Sequence, residues 1–107
     1  MRAKAAAASV EPMGAMGHTV DMDEAHATLV AGMDTMNRDM TMGSMAKNLD
    51  VAFVCGMIPH HQGAIDMAKA ELKYGNDAWV KKFAQRVIDA QTLEIAEMTQ
   101  WLAQQGK

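Results

Sequence analysis

Residues 49–71 read LDVAFVCGMIPHHQGAIDMAKAE, and their periodicity decides the fold class. Leu49, Phe53, Met57, His60, Ala64, Met67 and Glu71 recur at three- and four-residue steps. A helix turns once every 3.6 residues, so such a stripe occupies one face. The pattern predicts a helix from about Met45 to Tyr74 with this stripe turned inward. Pro59 lies inside it. Proline lacks the backbone donor and crowds the preceding turn, so a kink near residues 55–58 is expected. The stripe keeps its phase across Pro59, so the helix should continue beyond it. Gly75 is a stop signal, and Asn76 or Asp77 can cap the next helix.

On the N-terminal side, Met22, His26, Leu29, Met33, Met36 and Met40 are spaced 4, 3, 4, 3, 4. This predicts one helix starting near Asp21–Asp23, running to about Thr41 and stopping at Gly43. On the C-terminal side a third helix is expected from about Asp77 to Gln104. Val80, Ala84, Val87, Gln91, Met98 and Leu102 lie on its inner face, flanked by Phe83, Ile88, Glu94, Ile95 and Trp101. Gly106 is its stop. The fold class is therefore all-α, an antiparallel bundle of three main helices with a proline kink in the second. Residues 1–20 carry Ala, Gly and Met without a helical stripe and read as a flexible tail. Residues 21–107 form the helical domain. No run reaches the roughly 18 apolar residues a membrane helix needs, and residues 1–9 lack the apolar stretch of an intact signal peptide.

Composition narrows the chemistry. Met occurs twelve times and Leu only five in 107 residues, inverting ordinary usage. Met is a flexible core filler, so the exchange costs packing definition, and another property of the thioether is favoured. The net charge of −3 gives no basic stripe, which argues against a nucleic-acid partner. A single cysteine, Cys55, excludes an intrachain disulfide and any multi-cysteine metal site.

Met57, His60 and His61 are the central candidate ligands. Residues three and four apart on a helix are neighbours, so Met57 can meet either imidazole. On this stripe His60 points inward and His61 lies about 100° round, toward its edge. Thioether with imidazole favours Cu(I). Ag(I) should follow it, and Cu(II) stays open. Zn(II) prefers thiolate, imidazole and carboxylate, and no clustered oxygen loop suits Ca(II) or Mg(II). His26, Met33, Met36 and Met40 are further candidates on the first helix, and Met67 and Met98 can close the site from the other two. Each is equally readable as core, since a Met stripe at helical spacing more often packs than ligates. Met42 and Met45, and the tail residues Met13, Met16 and His18, are weaker candidates. Gln91 and Glu94 would cost about 1–3 kcal/mol each if buried unpaired; a histidine ring nitrogen is the natural partner, which would orient that ring. Glu71 has the same ambiguity. Cys55 falls on the outer side of an ideal second helix and is left out of the site.

With these residues in view, the stretch Asp50 to Ala68, holding Met57-Ile-Pro59-His60-His61, resembles the CopM-like periplasmic copper-binding family, formerly a domain of unknown function. Gln91-Thr-Leu-Glu94-Ile-Ala-Glu-Met98-Thr-Gln-Trp101-Leu102 is similar to its second signature, and the resemblance covers roughly residues 22–104. It implies a ferritin-like bundle in the periplasm or cell exterior, copper or silver binding, and a role in metal tolerance. Met57, His60 and His61 would be ligands, joined by methionines of the first helix. Cys55 is outside the family pattern. The reading is a binding protein, not an enzyme, acting as buffer or carrier. Two alternatives compete. A bundle metal oxidase needs Glu-x-x-His pairs, and none occurs. An assembly module would bury its Met face in a homodimer.

Overall fold

A computed structural model describes residues 23–105. The expected tail with Met13, Met16 and His18, the first stripe residue Met22 and the stop at Gly106 lie outside them. The described residues form four helices and no strand: α1 (Glu24–Val30), α2 (Met33–Gly43), α3 (Leu49–Tyr74) and α4 (Ala78–Gln105). Three are long; α1 has only seven residues.

The first expected helix is broken in two. Ala31 is extended and Gly32 is left-handed at φ 91°. Only glycine adopts that conformation without a Cβ penalty. His26 and Leu29 therefore sit on a separate helix from Met33, Met36 and Met40, and the six-residue stripe is not one straight face. Asp23 caps this start: it accepts from the His26 backbone N–H at 2.8 Å and contacts its ring Nδ1 at 2.8 Å. Those bonds, the backbone one foremost, hold the Asp23 carboxyl below its ordinary value. A depressed carboxylate stabilises above its unfolded pKa, and that contribution is lost as pH falls through the folded value. Hydrogen exchange of α1 amides should therefore accelerate relative to α3 below about pH 4, and Asp23→Ala should remove the pH dependence.

α2 stops at Gly43 as expected. α3 begins at Leu49, four residues later than Met45, because Met45 and Ala46 close turns onto Met42 and Gly43 while Asn48 caps Val51 at 3.0 Å. α3 continues through Pro59 to Tyr74. Asp77 caps α4 by accepting from the Val80 N–H at 3.0 Å.

The buried face of α3 is rotated from the expected one. Leu49 and Phe53 are exposed, as are His60 and Met67, whereas Ala52, Gly56, His61, Ile65, Ala68 and Ala70 are buried. At 100° per residue these fall on two nearly opposite faces. Ala52, Gly56, Gly63 and Ala70 receive α2 and α1; His61, Ile65 and Ala68 receive α4. α3 is thus the central element, packed against all three others, and α2 and α4 share no comparable contact. The reason is size. A Cβ on Gly63 would overlap Met36 Sδ, and one on Gly43 would overlap the carbonyl group of Cys55. Small residues let backbones approach, a preference that hydropathy spacing does not register. On α4 the expected face holds from Ala84 on: Ala84 is buried, with Val87, Gln91, Met98, Leu102 and the flanking Ile95 half-buried, whereas Val80 in the first turn is exposed.

Candidate metal centre

His61, not His60, is the inward imidazole. It is 6 % exposed and lies at the α3–α4 seam. Its Nε2 contacts Glu94 Oε1 at 2.5 Å. Where Nε2 donates to the carboxylate in a neutral imidazole, Nδ1 is the nitrogen that carries the lone pair. That Nδ1 is buried and has no hydrogen-bond partner. Buried polar atoms nearly always find one, so this atom is the exception among the described side chains. Glu94 itself is half exposed. It is the carboxylate partner expected for a histidine ring.

The antiparallel register follows from that pair. Met57 lies one turn before His61, and Met98 one turn after Glu94, so the two thioethers stand at the same level of the seam. Both are half-buried. Met57, His61 and Met98 form the first group of candidate ligands.

The second group faces the other helices. Met33, Met36 and Met67 line one small cleft with Leu29, Gly63 and Asp66. Met36 reaches it because Gly63 has no side chain to exclude the sulfur. Met40, one turn on, is half-buried with its carbonyl over Gly56. His60 is exposed between these groups, its ring centroid 6.1 Å from that of His61 and tilted 58°. The nine candidates thus do not converge on one point.

His26 stands apart. It is exposed, paired with Asp23, and lines a separate cleft between α1 and the end of α3 with Leu29, Glu71 and Tyr74. Cys55 is half-buried, its backbone pressed against Gly43. Met42 and Met45 are exposed at the α2–α3 turn. Among the described residues no three His, Cys, Asp or Glu side chains come together as a metal-holding group. No described helix is long and apolar enough to cross a membrane.

Sequence spacing alone placed His60 inward because it followed the large residues Leu49, Phe53 and Met67. The glycines Gly56 and Gly63, one heptad apart, were the available signal for a close helix contact on another face.

Fold and site together define a small all-helical protein with a buried, carboxylate-held histidine between two helices. The chain belongs to the family described as a domain of unknown function, DUF305, whose profile matches residues 2–102. Comparison with curated proteins gives no match.

Proposed function

We propose that the protein binds Cu(I), with Ag(I) as a surrogate, and serves as an exported or periplasmic buffer or carrier in copper tolerance, without catalytic turnover. The observation that carries this reading is the buried, unpartnered Nδ1 of His61 at the α3–α4 seam. Glu94 on the opposite ring nitrogen supports it, because a carboxylate there fixes the tautomer and raises the basicity of the ligating nitrogen. The donor set selects the ion: imidazole with thioether is soft, and the described residues offer no cluster of carboxylates for a hard one. His61, Met57 and Met98 would hold one ion at the α3–α4 seam. Met33, Met36, Met40 and Met67 would form a second, all-sulfur group, with His60 between them as the accessible imidazole. His26 would act separately if it binds. The bundle is read as ferritin-like, with a proline kink at residues 55–58 beside the first site. Export rests on the family resemblance.

The test is a competition titration against a coloured Cu(I) chelator, with Zn(II) in parallel. The wild type should take Cu(I) from the chelator and show far weaker Zn(II) binding. Glu94→Gln should keep the helical fold and weaken Cu(I) binding by about 10–100-fold. No competition by the wild type, or equal Zn(II) affinity, overturns the reading.

A further inference from the structure

We propose that the open side of α3 is a dimer interface, closed by a second copy of this chain packed antiparallel about His60. The proposal goes beyond metal binding and concerns the apo protein.

Three observations carry it. The first is an inverted burial pattern. Among the described residues the buried set is Ala52, Ile65, Ala68, Ala70 and Ala84 with Gly56 and His61, so only Ile65 is a large apolar side chain. Several large apolar residues are outside: Leu49 is 80 % exposed, Phe53 63 %, Met67 39 %, Trp79 64 % and Phe83 44 %. A fold whose interior is mostly alanine lacks the burial that ordinarily offsets chain entropy.

The second is that these residues share one side. The stripe Leu49, Phe53, His60, Met67 lies between the α3 faces taken by α2 and α4, which do not meet over it. α4 runs antiparallel to α3, and both helices are right-handed. The edge of α4 bearing Glu94, Phe83 and Trp79 therefore adjoins that same open side. Trp79 and Phe83 stack there with centroids 5.3 Å apart and planes at 5°. With aromatic side chains offering roughly 150–250 Å² each, the five exposures amount to about 600 Å². That equals the largest patch on an ordinary monomer, about 300–600 Å². Doubled by symmetry it reaches about 1,200 Å², the lower edge of stable specific interfaces.

The third is self-complementarity. An interface on a two-fold axis must match itself. The α3 stripe is symmetric about His60: Phe53 and Met67 lie seven residues to either side, and Leu49 and Glu71 lie eleven. A two-fold axis there sets Phe53 on the partner's Met67. It sets Leu49 beside the partner's Glu71 and brings the two His60 rings together. The three- and four-residue spacing is that of a helix–helix seam.

The experiment is sedimentation equilibrium of the metal-free, chelator-treated full chain from 1 to several hundred µM. The wild type should be dimeric within that range. Phe53→Asp should raise the dissociation constant at least about tenfold, or 1.4 kcal/mol, with unchanged helical circular dichroism. Leu93→Asp, at an equally exposed apolar residue on the far face of α4, should leave it unchanged. A wild type that stays monomeric throughout, so that another occupant covers the face, overturns the proposal. Equal weakening by Phe53→Asp and Leu93→Asp also overturns it. Because no metal is present, failure here leaves the Cu(I) titration standing, and failure of that titration leaves this one standing.

Discussion

His61→Leu should abolish high-affinity Cu(I) binding while leaving the apo protein as stable as the wild type or more so. The two effects have one cause. Nδ1 of His61 is buried without a partner, and such an atom costs about 1–3 kcal/mol. Leucine removes that atom and suits the Ile65–Ala68 surroundings. Glu94 loses a partner but is half exposed and can turn to water. The net change in apo stability should lie between zero and about +2 kcal/mol, a rise in Tm of up to several degrees. Cu(I) affinity should fall by at least about 100-fold, or 2.7 kcal/mol. Thermal unfolding of the apo variant and chelator competition check the two halves. A destabilised variant that still competes for Cu(I) would show that His61 is a packing residue.

Gly43→Ala should be the most damaging methyl addition among the glycines of the α2–α3 contact, Gly43, Gly56 and Gly63. Helix propensity alone favours alanine over glycine by about 1 kcal/mol. The close approach reverses the sign. The added Cβ would overlap the Cys55 carbonyl oxygen and lie 2.7 Å from its carbon. That group is part of the α3 backbone and cannot swing aside. α2 must lift from α3, at about 1–3 kcal/mol of overpacking strain and a Tm lowered by about 4–8 °C per kcal/mol. Gly63→Ala is the informative contrast. There the added methyl meets the Met36 thioether, a flexible chain that can move, so stability should change less. Thermal melts of both variants decide it; a Gly43→Ala protein that melts higher than wild type would refute the contact.

The helices were legible in sequence because caps and stops are local chemistry. Asp23, Gly43 and Asp77 act where their types suggested, and the α4 face came out in register from Ala84 on. Which side of α3 is buried was not legible. Periodicity follows large apolar residues, and in this chain they mark the uncovered side. The contacts between helices are made through Gly56, Gly63, Ala52 and Ala68, which carry little hydropathy signal. That same inversion exchanged His60 for His61. Gly32 is the other lesson. A glycine within a helical pattern is tolerated often enough that the stripe from Met22 to Met40 outweighed it, yet its left-handed backbone separates His26 from the methionines. Glu94 was legible for a simpler reason, since a carboxylate beside a buried face must find a donor.

The alanine interior has a thermal consequence. The heat-capacity change of unfolding scales with the apolar surface newly wetted. In a lone chain the described large apolar side chains other than Ile65 are exposed or only half-buried, so that change should fall below the usual 12–15 cal/mol/K per residue. The stability curve is then shallow, with little gained by cooling and little lost by modest warming. Mass action replaces temperature as the main control, and the folded fraction depends on the concentrations of whatever binds the native chain.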